Sequence, residues 1–193
     1  MLYYALSFLA VAAIAVLTAS CTARAPEAAS GTVETPIITE GVGEMLEVGA
    51  TAPDFTVGDD QGNMVSLADY RGEQNVVLVF YPGNETPGCT EQLCAVRDDW
   101  DDFSAANVQV FGVNPANAAS HRSFRENHNF PFPLLADTEG ELVRNYGCRG
   151  TLGVVKRTVY GIDTEGRIVF AERGMPDHNS ILAAFAGDGE PAS

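Results

Sequence analysis

From position 54 onward, apolar residues recur in short alternating or continuous runs and then in longer stretches with one at every third or fourth place. That alternation of periods predicts strands and helices interleaved in one α/β domain. Positions 55–57 and 64–67 flank the turn-rich Gly58-Asp59-Asp60-Gln61-Gly62-Asn63 and predict a small antiparallel hairpin. The run at 76–81, Val-Val-Leu-Val-Phe-Tyr, is too apolar for an edge and reads as a central strand covered on both faces. A Pro/Gly loop follows, then a helix from Cys89 to about Ala106, a buried strand at 108–113 and a helix near 117–128. Leu134-Leu135 predicts a short strand and 139–146 a short helix. Positions 158–162 and 167–170, joined by Asp163-Thr164-Glu165-Gly166, carry a second hairpin signal. A last helix starts near Asp177, keeps Ile181, Leu182, Ala184 and Phe185 on one stripe, and stops at Gly187.

Strand-helix-strand followed by helix-hairpin-helix is a thioredoxin-like order, so the expected fold is α/β, with a mixed central sheet flanked by helices and an N-terminal hairpin. The first 20 residues lie outside it: they carry no charged side chain, and 2–19 is about long enough to cross a bilayer's hydrocarbon as a helix. Two readings compete, a cleaved export signal and an uncleaved membrane span, and the small residues Thr18-Ala19-Ser20 before Cys21 favour the first. The run resembles a bacterial lipoprotein signal, which implies lipidation of Cys21; Leu17 sits one place early for that pattern and no Lys or Arg precedes the apolar stretch. Release as a soluble protein is the third alternative. With a lipid or a span, the chain is expected to be membrane-anchored and extracytoplasmic, on the periplasmic side. Positions 21–47, rich in Ala, Thr, Glu, Pro and Gly, read as a flexible linker; 48–187 form the domain and 188–193 a tail. The formal charge of −15, with Lys156 the only lysine, argues against nucleic acid and against electrostatic attraction to anionic lipid.

The chemistry concentrates in Phe80-Tyr81-Pro82-Gly83-Asn84-Glu85-Thr86-Pro87-Gly88-Cys89-Thr90-Glu91-Gln92-Leu93-Cys94. A cysteine in the first turn of a helix faces unpaired backbone N–H groups and the positive end of the helix dipole, which favour thiolate over thiol. Cys89 is therefore the candidate nucleophile. Gly88 lets backbone amides approach a bound oxygen, and the Thr86 hydroxyl can accept one hydrogen bond from a ligand or donate one to it. Such donors serve displacement at oxygen, in which negative charge grows on the leaving oxygen.

Pro82, Thr86 and Cys89 match the Pro-x-x-x-Thr-x-x-Cys order of the peroxiredoxins, and Cys-Thr-x-Gln-x-Cys, ending at Cys94, resembles the peroxiredoxin Q group, also called bacterioferritin comigratory protein. Arg97-Asp98, Leu134-Leu135-Ala136-Asp137 and Tyr146-Gly147 also sit where that group has similar residues. The resemblance runs from about Val48 to Phe185. It implies a thiol peroxidase with Cys89 as peroxidatic and Cys94 as resolving cysteine. Arg157 takes the place of the family's arginine, which would hold the thiolate and orient the peroxide. Peroxide would bind among Thr86, Gly88, Cys89 and Arg157, with no cofactor and no metal. The partners implied are hydrogen peroxide or an organic hydroperoxide and a thioredoxin-like dithiol reductant, and the chain is expected to be a monomer or weak dimer. Gly161 and Cys148 depart from the family pattern: the first questions the regularity of its strand, the second the identity of the resolving thiol.

Other readings stand beside this one. On one continuous helix Cys89 and Cys94 would have Cα atoms about 8.7 Å apart, beyond disulfide reach of roughly 7 Å. A bond between them needs an unwound turn and suits an intermediate better than a structural staple. Zinc held by Cys89, Cys94 and Cys148 has an unusual spacing, and the Cys-x-x-Cys of dithiol oxidoreductases is absent. Cys148 reads as an idle thiol, an alternative resolver or an intermolecular site. His121, His128 and His178 are expected to face solvent, Trp100, Phe130 and Phe132 to pack the core, and Glu85 to be an exposed loop carboxylate or a base beside the site. A non-enzymatic redox sensor or binding module on the same fold is the rival function.

Overall fold

The computed structural model describes residues 43–187. The leader at 1–20, Cys21, the linker up to 42 and the tail at 188–193 lie outside the described residues. The first hairpin pairs β1 (Thr56–Gly58) antiparallel with β2 (Met64–Ser66). The central sheet is built from β3 (Asn75–Phe80), β4 (Val108–Asn114), β5 (Leu134–Ala136), β6 (Thr158–Ile162) and β7 (Ile168–Arg173). Its order is β5-β4-β3-β6-β7. β4 runs parallel to both β3 and β5, whereas β6 is antiparallel to β3 and β7 antiparallel to β6. This is the mixed, thioredoxin-like sheet expected from the element order.

β3 is central because its side chains alternate between two cores. Val77 and Val79, continued by Tyr81, face a cluster with Leu93, Val96, Phe103, Phe124 and Ile181. Val76, Leu78 and Phe80 face another with Phe55, Leu67, Phe111, Tyr146 and Tyr160. Burial of each such side chain is worth about 1.5–3 kcal/mol, so both faces stabilise the strand and neither tolerates water. The helices α1 (Pro87–Asp98), α2 (Trp100–Ala105), α3 (Ala118–His128) and α5 (His178–Ala186) supply the first core, and α4 (Glu141–Asn145) with the hairpin supplies the second.

The single helix expected from Cys89 to about Ala106 is two helices. Asp99, at φ −98° and ψ 17°, leaves helical geometry between α1 and α2. Asp98, Asp99, Asp101 and Asp102 crowd this point, and aspartate favours caps over helix interiors. Beyond the break, Trp100 packs on Phe132 at 5.9 Å, and Phe130 stacks on Phe132 at 5.4 Å, as expected of core aromatics.

Gly161 has a steric reason. A β-carbon there would stand 2.9 Å from Phe185 Cζ and 3.0 Å from Phe170 Cβ, and the register of β6 with β7 shifts between Gly161 and Ile162. α5 thus lies directly on the strand.

The domain also begins earlier than position 48. Residues 43–47, placed in the flexible linker by composition, are docked: Met45 and Leu46 pack on the second core, and the Leu46 N–H donates to the Tyr160 hydroxyl at 3.0 Å. A β-carbon on Gly43 would lie 2.4 Å from Gly147 Cα, so the two backbones touch. Composition reads polarity and glycine content, and neither reveals a backbone that fits a groove.

The histidines correct another expectation. α3 is polar overall, but His121 and Phe124, three positions apart, both turn to the sheet, and His121 is fully buried. Its Nδ1 lies 3.3 Å from Tyr81 Oη and its Nε2 3.4 Å from the Asn114 carbonyl. His128 and His178 are half-buried, the former stacked on Phe130 and the latter edge-on to Phe103.

Candidate active site

The sheet ladder of β3 continues to Tyr81, whose N–H donates to the Val113 carbonyl at 3.1 Å. Pro82, which has no N–H, follows and is exposed. The loop then reaches Thr86, extended at φ −88° and ψ 140°, which is the residue before α1; Pro87 occupies the first helical position, where its missing N–H costs nothing. Cys89 falls in the first turn. Its N–H donates to the Thr86 carbonyl at 3.0 Å, whereas the Gly88 N–H has no intrahelical acceptor by helix geometry. The Thr86 hydroxyl donates to the Gly83 carbonyl at 3.1 Å, which leaves its lone pairs free to accept from a bound hydroxyl or hydroperoxide.

Cys89 is buried, 1% exposed. Arg157, just before β6, donates from Nη2 to Cys89 Sγ at 3.3 Å. Its Nη1 donates to Gln92 Oε1. Gln92 lies three residues beyond Cys89 on α1, is 4% exposed, and donates through Nε2 to the Gly174 carbonyl at 3.4 Å. The Gly174 N–H donates back to the Arg157 carbonyl at 3.0 Å. Cys89, Arg157, Gln92 and Gly174 therefore form a closed set around the sulfur. Gln92 stands inside the Cys-Thr-x-Gln-x-Cys motif, which by itself assigns it no role. The available signal was its three-residue spacing from Cys89, which puts both on one helix face.

The loop before α1 is itself anchored. Asn84 Oδ1 accepts from the Tyr81 hydroxyl and from Asn114 Nδ2, each at 2.9 Å. Asn84 Nδ2 donates to Ser120 Oγ on α3 at 2.9 Å. Burial pushes the Tyr81 hydroxyl well above its ordinary value, so it remains a donor to Asn84. Glu85 is the exposed loop carboxylate expected, but it is not idle. Asn127 Nδ2 donates to Oε1 at 2.9 Å, His128 Nε2 lies 3.1 Å from Oε2, and these two partners hold the carboxyl below its usual range.

Cys94 is half-buried and free on the same helix as Cys89. Cys148 is a free, fully buried thiol in the other core, beside Leu78, Phe80 and Tyr160, and donates to the Tyr146 carbonyl at 3.3 Å. Burial pushes that thiol up to about 11. The sheet therefore separates Cys148 from Cys89 and Cys94, and the three do not assemble as a metal-binding group. A surface cavity of about 410 Å³ lined by Asp60, Arg122, Arg125 and Phe130 includes neither Cys89 nor Arg157. Its arginines already donate to Asp60 and to the Phe130 carbonyl.

A first-turn cysteine touched by an arginine on a thioredoxin-like sheet defines a thiol-based oxidoreductase. The chain belongs to the AhpC/TSA family, whose model matches residues 48–171. Within it the chain is a peroxiredoxin of the peroxiredoxin Q or bacterioferritin comigratory group, an enzyme of the peroxidase class. It is 38% identical to peroxiredoxin Bcp of Bacillus subtilis over 149 residues, covering 72% of this chain and 93% of that one. The crystal structure of peroxidoxin BcpB from Mycobacterium tuberculosis superposes with a TM-score of 0.68 at 30% identity, over 74% of this chain and 97% of that one. The bacterioferritin comigratory protein of Xanthomonas campestris, whose structures address alkyl peroxide reduction, gives a TM-score of 0.65 at 26% identity over 73% and 96%.

Proposed function

We propose that Cys89, as thiolate, attacks one oxygen of hydrogen peroxide or an organic hydroperoxide. The S–O bond forms as the O–O bond breaks, and the leaving oxygen departs as water or an alcohol after taking a proton. Cys89 becomes a sulfenic acid. The Arg157–Cys89 contact at 3.3 Å carries this reading. A fixed guanidinium stabilises both the thiolate and the charge that grows on the departing oxygen. The Thr86 lone pairs are available to accept from the hydroperoxide's O–H, and the Gly88 N–H to donate to its oxygen.

Cys94 then attacks the Cys89 sulfur, water leaves, and an intramolecular disulfide remains. Two observations support Cys94 over Cys148: it shares a helix with Cys89, and it is partly exposed, whereas Cys148 is enclosed on the other side of the sheet. The disulfide requires part of α1 to unwind. An external thioredoxin-like dithiol restores both thiols and is itself oxidised. The leader and Cys21 support a tether that holds the enzyme outside the cytoplasm, where a membrane-bound donor would serve it.

The test is peroxide consumption by the full chain with dithiothreitol as reductant. Cys89→Ser is expected to abolish it, and retained turnover in that variant sinks the proposal. The rival sensor or binding module predicts slow, stoichiometric oxidation with no cycling when dithiol is supplied.

A further inference from the structure

Glu85 is one of four non-glycine residues among those described that adopt a left-handed backbone, at φ 56°. Side chains disfavour that region, so a long side chain stays there only when surrounding contacts hold it. Glu85 lies two residues before α1, and the contacts that hold it come from the far end of α3: Asn127 Nδ2 at 2.9 Å and His128 Nε2 at 3.1 Å. The other end of α1 is tied to the same place, because Arg97 Nη1 donates to the His128 carbonyl at 2.8 Å. Cys89 and Cys94 both sit between these two anchors.

We propose that Asn127 and His128 are positioning residues, which through Glu85 keep the first turn of α1 wound and thereby divide the Cys89 sulfenic acid between two fates. While the turn is wound, the sulfenic sulfur stays beside Arg157 and can meet a second peroxide, giving sulfinic acid as the O–O bond breaks and water or an alcohol leaves. Once Glu85 lets go, its strained backbone relaxes, the turn opens, and Cys94 reaches the sulfur to form the disulfide with loss of water. The brace touches neither Cys89 nor the peroxide, so it acts on the partition and not on the first attack. The inference rests on Cys94 as the resolving thiol.

The test uses the reduced full chain mixed rapidly with hydrogen peroxide. Fluorescence of Trp100, the single tryptophan, is followed just beyond the end of α1. Quenched samples are alkylated and analysed by mass spectrometry for the Cys89–Cys94 disulfide and for Cys89 sulfinic acid. Glu85→Ala and Asn127→Ala are expected to accelerate disulfide formation about three- to tenfold, the size set by losing hydrogen bonds to one exposed carboxylate. The peroxide concentration that half-converts Cys89 to sulfinic acid should rise by the same factor, and Glu85→Gln, which can still accept from Asn127, should fall between. Disulfide rates and sulfinic thresholds equal to those of the unaltered chain overturn the brace. So does a parallel slowing of both steps with thermal melting unchanged. Absence of any Cys89–Cys94 disulfide in the unaltered chain overturns instead the assignment of Cys94.

Discussion

Arg157 Nη2 stands 3.3 Å from Cys89 Sγ although the two residues are 68 positions apart in the chain. The contact joins the first turn of α1 to the start of β6, and Gln92 fixes its direction by accepting from the second guanidinium nitrogen. Arg157→Ala is expected to lower the second-order rate of peroxide attack by about 10²–10³-fold, as for loss of one oriented donor to developing charge. Arg157→Lys keeps the charge but cannot serve Gln92 and Cys89 in the same fork, so it should recover only part of the loss. Rapid mixing of each reduced variant with hydrogen peroxide measures both; an Arg157→Ala rate within threefold of the unaltered chain would separate the arginine from the chemistry.

Cys148, enclosed by the second core and pushed up to about 11 by burial, is expected to resist alkylation at pH 8 in the folded protein. Both states of the test are accessible: mass spectrometry of iodoacetamide-treated native protein should find Cys148 unmodified, and denatured protein should find it labelled. Cys148→Ser should leave the oxidised disulfide between Cys89 and Cys94, whereas Cys94→Ala should accumulate the sulfenic form. A Cys89–Cys148 disulfide in the oxidised, unaltered chain would contradict the topology.

His121 is held neutral by burial, which lowers its value below the ordinary 6.5. The unfolded chain therefore binds a proton that the folded chain refuses, and stability is complete above about pH 6.5 and lost progressively as pH falls toward the folded value. Denaturant midpoints measured between pH 7.5 and pH 5 should drop, and in His121→Gln that part of the drop should vanish, leaving the slope set by the carboxylates alone. An identical pH slope in the two proteins would show that His121 does not titrate on unfolding.

Gly161 carries α5 on a bare backbone. Gly161→Ala must displace both the Phe185 ring and Phe170, at an expected cost of about 1–3 kcal/mol by the usual range for overpacking, and Gly161→Val should cost more. Urea unfolding monitored by far-UV circular dichroism measures it. Peroxide attack by the folded fraction should be unaffected, since Gly161 lies on β6 away from Arg157.

Much of this architecture is legible along the chain, because strand and helix periods depend on neighbours in sequence. The run Val76 to Tyr81 announces a strand covered on both faces, and Pro87-Gly88-Cys89 announces a thiol at a helix start, since both depend on residues one to six places apart. The burial of His121 and the docking of 43–47 were not legible, because each is decided by what lies across space: Tyr81 beneath α3, and Gly147 against Gly43. The motif marks Cys89 and the family resemblance adds Arg157, but only the sheet brings them into contact, and only the sheet sets Cys148 behind them. Period and motif are properties of a short stretch of chain, whereas which thiol meets which cation depends on strand order, and strand order is fixed by the joint burial of residues far apart in sequence.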